Sequence, residues 1–105
     1  MITQTSTAQI AQWITDETPF TFVDVRNPWE HETASVQHAE LLTQDRFDEL
    51  KSLPTTTRLA FLCHHGMRSQ QAAMHFASLG FTDVHNVVGG IDAWSMQVDS
   101  SVPRY

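Results

Sequence analysis

The 105-residue sequence is poor in cysteine and in basic side chains, and it has no long apolar run. Its single cysteine, Cys63, excludes an intrachain disulfide framework and a cysteine-rich zinc site. Six basic against twelve acidic residues give a formal charge of −6, which argues against binding to the phosphate backbone of a nucleic acid. The longest apolar stretch near the middle, residues 59–63, is far shorter than the ~20 residues that cross a bilayer. We therefore expect no nucleic-acid partner and no membrane partner.

The composition that remains is that of one folded domain. Hydrophobic residues make up 41% of the chain and charged residues 17%, so the sequence is neither disordered nor fibrous. A chain of this length can bury roughly two-thirds of its unfolded surface, which is enough for one core. Residues 1–12 lack the basic residues and the apolar run of a signal peptide. We expect a single domain over residues 1–105 in the cytoplasm, where a lone thiol stays reduced.

Two kinds of apolar segment alternate along the chain. A run rich in β-branched and aromatic residues predicts a strand at 20–25, and an apolar run predicts a second buried strand at 58–62. Shorter strands are expected at 39–41 and 84–87. Apolar residues at helical spacing predict helices at 7–15, 44–53 and 69–79, and a last helix after residue 90. Gly80 is expected to end the third helix in a left-handed conformation. The polar stretch 29–37 shows no clear pattern. This alternation is typical of an α/β domain with a mostly parallel sheet.

Cys63 lies between a predicted buried strand and a predicted helix, at the end of a strand where parallel sheets bind ligands. We call residues 63–68 the cysteine loop. Free N–H groups and the helix dipole at the start of the helix favour an anion, so they should lower the pKa of the Cys63 thiol. Arg68 adds a permanent positive charge, and Gly66 permits a turn that other residues avoid. These residues predict a reactive thiolate in a cradle for small anions.

The alternative is a purely structural role, in which Cys63 is a small buried hydrophobic residue, as is common at the end of an apolar strand. Against it, polar His64 and His65 follow the cysteine, and a structural cysteine requires neither Gly66 nor Arg68. The six histidines show no spacing typical of a zinc hydrolase, so we expect no metal site.

Three segments resemble the signatures of the rhodanese-like sulfurtransferases. The cysteine loop matches the pattern C-x-x-G-x-R, and residues 23–30 resemble D-V-R-x-P-x-E. Residues 86–94 resemble the closing G-G-x-x-x-W signature. The three segments follow the family's order and span most of the chain. The resemblance implies a three-layer α/β fold, in which helices cover both faces of a mostly parallel five-stranded sheet.

The resemblance also implies sulfur transfer without a metal or an organic cofactor. A Cys63 thiolate takes the outer sulfur of a small anionic donor such as thiosulfate and becomes a persulfide. The sulfur then passes to a thiophilic acceptor, such as cyanide, a protein thiol or a sulfur-relay protein. Cys63 and Arg68 are the implied catalytic residues. The implied substrate-binding residues are His64, His65, Gly66, Met67 and Ser69.

Two other functions are weighed at this stage, and the first is a phosphatase or arsenate-reducing activity, which the loop length and the single cysteine disfavour. The family includes phosphatases of the cell-cycle type, which have five residues between cysteine and arginine. Only residues 64–67 lie between them here, and the smaller ring suits a sulfur atom rather than a phosphate. The second alternative is a carrier or binding domain that delivers persulfide to a partner protein or only binds one. The intact loop argues against a catalytically dead domain, but it does not separate an enzyme from a carrier.

Other residues near the motifs are expected to have structural roles. Asp24 and Arg26 predict an ion pair at the end of a strand, and Glu30 is expected to act similarly. Trp94 shares a helical stripe with Ile91, so it is predicted to lie in the core.

Two further features of the sequence bear on the cysteine loop and its surroundings. Residues 58–68 hold two arginines, two histidines and no acid, which predicts a local positive field. Residues 34–39, Ala-Ser-Val-Gln-His-Ala, depart from the G-H-I-x-G-A pattern frequent in the family. Because of this departure, the resemblance does not fix the backbone conformation or the strand boundary in this segment.

Overall fold

The fold is built on one parallel sheet, and the computed structural model describes residues 2–105. The strands are β1 (Ile2–Thr5), β2 (Thr21–Asp24), β3 (Glu40–Leu41), β4 (Leu59–Leu62) and β5 (Val84–Val87). Their order across the sheet is β1-β5-β4-β2-β3, and every neighbouring pair is parallel. The predicted parallel sheet is therefore confirmed. Because β4 is central, the residue that follows it lies at the middle of the sheet's carboxyl edge.

Within residues 2–105, four helices connect successive strands and a fifth follows β5. They are α1 (Thr7–Thr15), α2 (Pro28–Thr33), α3 (Gln44–Lys51), α4 (Met67–Ser78) and α5 (Gly90–Gln97). The side chains of Ser6 and Thr43 begin α1 and α3 by accepting backbone N–H groups of the first helical turn. Within residues 2–105, no helix has the length and apolar character needed to cross a membrane.

The side chains of β4 alternate between two cores, and this alternation places helices on both faces of the sheet. Leu59 and Phe61 belong to a core that also holds buried side chains of α3 and α4. Ala60 and Leu62 belong to a core that holds buried side chains of α1 and α5. Trp94 lies in this second core and is 5% exposed, which confirms its predicted role. The result is the expected three-layer α/β architecture.

Two elements were not predicted from the sequence, β1 and α2. β1 is an edge strand in which only Thr5 is buried, so it lacks the continuous apolar run of a central strand. α2 has six residues and begins at Pro28. Its first turn is held because the Glu30 carboxylate accepts the backbone N–H of Asn27. A short helix of polar residues has no periodic stripe to reveal it.

The bounds of α4 correct one prediction and confirm another. The helix begins at Met67, rather than around Ser69, so Arg68 lies in its first turn. At the other end Gly80 has a φ of +101° and follows the last turn, as predicted.

Residues 34–39 bury two apolar side chains despite their unusual sequence. Ala34 and Val36 both lie in the core shared with α1 and α5. His38 has a φ of +74°, at the position where the family pattern has its second glycine. His38 therefore adopts a left-handed conformation that its side chain disfavours.

Candidate active site

The sulfur of Cys63 lies at the centre of a tight turn. Cys63 follows β4 directly, is a free thiol and is 1% exposed. Its Sγ accepts the backbone N–H of Gly66 at 3.0 Å and lies 3.3 Å from Ser69 Oγ. Gly66 has a φ of +107°, a conformation that glycine adopts without the strain of a Cβ atom. The turn therefore brings hydrogen-bond donors from the loop and from α4 to one sulfur atom.

Two opposing effects act on the Cys63 thiol. Burial is the largest single effect and raises its pKa. The Ser69 hydroxyl and the backbone N–H groups of Ser69, Gly66 and His65 lower the pKa, and together they outweigh burial. The pKa of Cys63 thus lies below the ordinary value of a thiol, in the direction expected from the sequence.

The amino-terminal turn of α5 holds the cysteine loop from outside. The Ile91 N–H donates to the Cys63 carbonyl at 2.8 Å, and the Asp92 N–H donates to the His64 carbonyl at 3.2 Å. This contact requires glycine at position 90, because a Cβ atom there would overlap both carbonyl oxygens, and because Gly90 has a φ of +59°. With these two carbonyls turned toward α5, the inner face of the loop presents N–H groups to the sulfur.

Arg68 is held by Glu30 across the site. Its guanidinium donates two hydrogen bonds to the Glu30 carboxylate, at 2.6 and 2.9 Å. The Glu30 side chain is 5% exposed, whereas that of Arg68 is 42% exposed. The Arg68 hydrogen bond lowers the pKa of Glu30 to about 2, and the same bond raises the pKa of Arg68. The two residues were predicted in separate roles, and the structure joins them in one ion pair.

Tyr105 lies beside this ion pair and was not singled out from the sequence. Its hydroxyl donates to Glu30 Oε2 at 2.7 Å and accepts a hydrogen bond from Arg26 at 2.9 Å. Its backbone oxygen lies 2.9 Å from His64 Nε2, and its ring packs edge-on against that of His64. Burial raises the pKa of Tyr105. Tyr105 thereby connects the cysteine loop to α2.

The remaining predicted site residues lie at the rim. His64 is half-buried and His65 is exposed, and their Nδ1 atoms are 2.7 Å apart. Met67 is 80% exposed, and Trp29 on α2 is 59% exposed. Among residues 2–105, no group of three or more His, Cys, Asp or Glu side chains is placed to hold a metal ion.

Asp24 and Arg26 form the predicted structural pair. Their closest side-chain atoms are 2.6 Å apart, and both side chains are 0% exposed. Arg26 also donates to the Ala34 and Glu30 carbonyls. This network fixes the segment between β2 and α2, which supplies Glu30 to the site.

The predicted positive field over residues 58–68 is wrong. Arg58 lies just before β4, at the amino edge of the sheet, so the whole strand separates it from Cys63. It forms an ion pair with Asp83 at 2.9 Å and stacks over Trp13 at 4.5 Å. The charge of Arg68 is balanced by Glu30. A run of basic residues in sequence therefore does not become a basic patch here.

Asn86 is a buried site residue that sequence reasoning missed. It belongs to β5, is 4% exposed, and accepts the hydrogen bond of the Ser69 hydroxyl. The available signal was an amide side chain inside the short strand Val-His-Asn-Val, because a buried amide needs hydrogen-bond partners.

Comparison with known proteins agrees with this geometry. Residues 6–97 match the family model described as "Rhodanese-like domain". The chain belongs to the rhodanese-like domain family. This rhodanese-like domain is 31% identical over 85 residues to thiosulfate sulfurtransferase GlpE of Vibrio cholerae, with 80% of each chain covered. It is 38% identical over 88 residues to Rhodanese-like/PpiC domain-containing protein 12, chloroplastic, of Arabidopsis thaliana.

The extent of these matches differs. The match to the Arabidopsis protein covers 79% of this chain but spans only 29% of that relative. The crystal structure of a Rhodanese-like Domain Protein from Staphylococcus aureus superposes with a TM-score of 0.77 at 25% identity. That superposition covers 98% of both chains, so the rhodanese-like fold extends over nearly the whole sequence.

Proposed function

We propose that this protein is a thiosulfate-type sulfurtransferase in which Cys63 carries the transferred sulfur as a persulfide. The observation that carries the proposal is the hydrogen bonding of the Cys63 sulfur, which accepts the Gly66 N–H at 3.0 Å and lies within hydrogen-bond distance, 3.3 Å, of the Ser69 hydroxyl oxygen. Such a cradle stabilises negative charge on sulfur, whether thiolate or persulfide. The similarity to a thiosulfate sulfurtransferase over 80% of each chain supports the same choice.

The reaction has two steps that balance without a further reactant. The Cys63 thiolate attacks the outer sulfur of thiosulfate, a new S–S bond forms, and the S–S bond of thiosulfate breaks. Its electron pair leaves with sulfite. In the second step an acceptor such as cyanide attacks the terminal sulfur of the persulfide, which releases thiocyanate and restores the thiolate.

The other residues of the cysteine loop receive roles from their positions. The backbone N–H groups of residues 64–69 hold the terminal sulfur, and Gly66 permits the turn that aims them. Arg68, oriented by Glu30, contacts the departing sulfite. His64, His65 and Met67 lie at the rim, where the donor enters. Ser69 supplies a side-chain hydroxyl that reaches the nucleophile.

A mass measurement tests this proposal. The protein is incubated with thiosulfate, its intact mass is recorded, and cyanide is then added. We expect a gain of one sulfur atom that cyanide removes as thiocyanate, and no gain in Cys63→Ala. Arg68→Lys, which keeps the charge but loses the two-pronged hydrogen bond, should lower kcat/KM for thiosulfate about tenfold or more. Absence of a sulfur gain in the unaltered protein would refute the proposal.

A second candidate is a carrier that exchanges sulfur with a partner protein. It is favoured by the exposed apolar side chains of Met67 and Trp29 at the rim of the site, because such side chains are typical of protein contacts. Loading by a protein-bound persulfide but not by thiosulfate would select this function. Both functions need a compartment that keeps Cys63 reduced, which favours the cytoplasm.

A further inference from the structure

Behind the cysteine loop, three side-chain amides continue the hydrogen bond of Ser69 to the surface. The Ser69 hydroxyl donates to Asn86 Oδ1. Asn86 Nδ2 donates to Gln4 Oε1 at 2.8 Å, and Gln4 Nε2 donates to Gln70 Oε1 at 2.6 Å. Ser69 and Asn86 are buried, whereas Gln4 is exposed and Gln70 is half-buried. We call these four residues the amide chain.

The hydroxyl of Ser69 has one proton to donate, and both Asn86 Oδ1 and the Cys63 sulfur are close enough to accept it. Ser69 donates to Asn86, while the Cys63 sulfur lies 3.3 Å from the same hydroxyl oxygen. A thiol can donate its own proton to Ser69, so the observed direction suits a protonated sulfur. A thiolate has no proton and needs the one on Ser69. If Ser69 turned to it alone, the buried Asn86 Oδ1 would lose its donor, which is costly.

Reversal of the whole amide chain removes this conflict. Rotation of a side-chain amide by half a turn exchanges its NH2 group and its oxygen. If Asn86, Gln4 and Gln70 all rotate, each hydrogen bond keeps its place and changes direction. Asn86 Nδ2 then donates to Ser69 Oγ, and Ser69 donates to the sulfur. Because Gln70 is only half-buried, water can complete the reversed end of the chain.

We propose that Asn86 is a positioning residue whose orientation determines whether the Ser69 hydroxyl accepts a hydrogen bond from the Cys63 thiol or donates one to the Cys63 thiolate. In this proposal the amide chain reverses when the sulfur becomes negatively charged. The S–H bond is the only covalent bond that changes, and its proton passes to water. The proposal deepens the proposed function and rests on it in one respect. A persulfide anion on Cys63 would also need a donor from Ser69, so it would favour the same reversed direction of the amide chain.

The ionisable groups around Cys63 are separate from the amide chain. Arg68 lies on α4, Glu30 on α2, Asp24 at the end of β2 with Arg26 just after it, and Asp92 on α5 with its partner Arg104. His64 and His65 lie in the cysteine loop, and Tyr105 lies between His64 and Glu30. In the described part of the protein, none of these side chains hydrogen-bonds to a member of the amide chain. The chain can therefore be altered without touching them.

Gln4→Glu tests the reversal most directly, because Gln4 is exposed and is linked to the sulfur through Asn86 and Ser69. A carboxylate only accepts hydrogen bonds, so it holds Asn86 in the direction that suits the thiol. Gln71→Glu is the matched control. Gln71 lines the same open depression of about 440 Å³ as Gln4 and Gln70, but it is not a member of the amide chain. It adds an equal charge without fixing the direction of the chain.

The readout is the pH dependence of Cys63 alkylation by iodoacetamide, followed by intact mass. Every label reports Cys63, because the chain has no other cysteine. We expect Gln4→Glu to raise the pKa of Cys63 by about one, which is tenfold less thiolate at a pH below both values. Gln71→Glu should change it far less. In a Ser69→Ala background, where the link to sulfur is absent, the effect of Gln4→Glu should disappear.

Equal shifts from Gln4→Glu and Gln71→Glu, or a shift that persists in Ser69→Ala, would overturn the proposal, because either result would mean that charge acts through space. Asn86→Asp gives a second route, since it also fixes an acceptor against Ser69 and its effect should likewise shrink in Ser69→Ala. Alkylation reads ionisation alone. A protein that fails to take sulfur from thiosulfate but shows these shifts would therefore refute only the proposed function.

Discussion

Replacement of Glu30 by glutamine should weaken the folded state near neutral pH and have little effect in acid. The Arg68 hydrogen bond lowers the pKa of Glu30 from 4.5 to about 2. A carboxyl whose pKa is lowered by folding stabilises the protein above its unfolded-state pKa, and that contribution is lost as the pH falls through the folded-state pKa. The difference of about 2.5 corresponds to at most ~3.4 kcal/mol. Because the Arg68 side chain is 42% exposed, solvent screening reduces this to about 1–2 kcal/mol.

Urea denaturation of the two proteins at several pH values measures this contribution, with tryptophan fluorescence as the signal. Near pH 7 we expect Glu30→Gln to be less stable by about 1–2 kcal/mol. By about pH 3 the difference should fall to less than half, since the carboxylate is then protonated in the unfolded chain and partly protonated in the folded one.

Glu40→Gln is the matched control, because both carboxylate oxygens of Glu40 also accept hydrogen bonds from one arginine, Arg46. The side chains of Arg46 and Glu40 are 31% and 40% exposed, so this ion pair should contribute no more than ~1 kcal/mol to stability. A loss of stability in Glu30→Gln that stayed constant from pH 7 to pH 3 would refute the reasoning, as would a loss no larger than that of Glu40→Gln.

Three further predictions concern stability and can be measured by the same urea titrations. Gly90→Ala should cost about 2–4 kcal/mol, because its Cβ would overlap two backbone oxygens of the cysteine loop. Gly80→Ala, whose Cβ would meet no atom closer than 3.8 Å, should cost about 1–2 kcal/mol from backbone strain alone; equal costs would contradict this. Asp24→Asn leaves the Arg26 guanidinium buried without its counter-charge and should cost about 3–5 kcal/mol, whereas a loss below 1 kcal/mol would show that water relieves the charge. His38→Gly should stabilise the fold by about 0.5–1 kcal/mol, because glycine adopts the observed φ of +74° without strain, and a net loss would refute that account.

The parts of the fold that could be predicted from the sequence are those with a strong local signal. β4 is a short apolar run, β5 begins and ends with valine, and α1 and α3 begin at Ser and Thr residues that accept backbone N–H groups. β1 gave no such signal, because an edge strand is buried on fewer sides and needs fewer apolar residues. α2 gave none either, since its stability comes from the Glu30 interactions and from packing after its last turn.

The site divides in the same way. The cysteine, the glycine turn and the arginine are adjacent in sequence, so their association could be predicted. The pairing of Arg68 with Glu30 and of Ser69 with Asn86 joins segments 38 and 17 positions apart. Which partner a side chain meets is then decided by how the strands are ordered in the sheet. Arg58 shows the opposite kind of error, in which residues close in sequence were expected to be close in space. The extended strand β4 separates Arg58 from Cys63 and places them at opposite edges of the sheet.

The pairing of β1 with β5 also has a consequence for the time course of folding. Ile2 and Val84 are aligned although they stand 82 positions apart, and contacts of such long range slow the folding of small domains. Gln4 reaches Asn86 only after this pairing has formed. We expect pulse-labelled hydrogen exchange during refolding to show β4 protected before β1. During synthesis, Cys63 would then pass through a stage in which its loop exists but the amide chain does not, and the thiol acquires its final reactivity only when the sheet is complete.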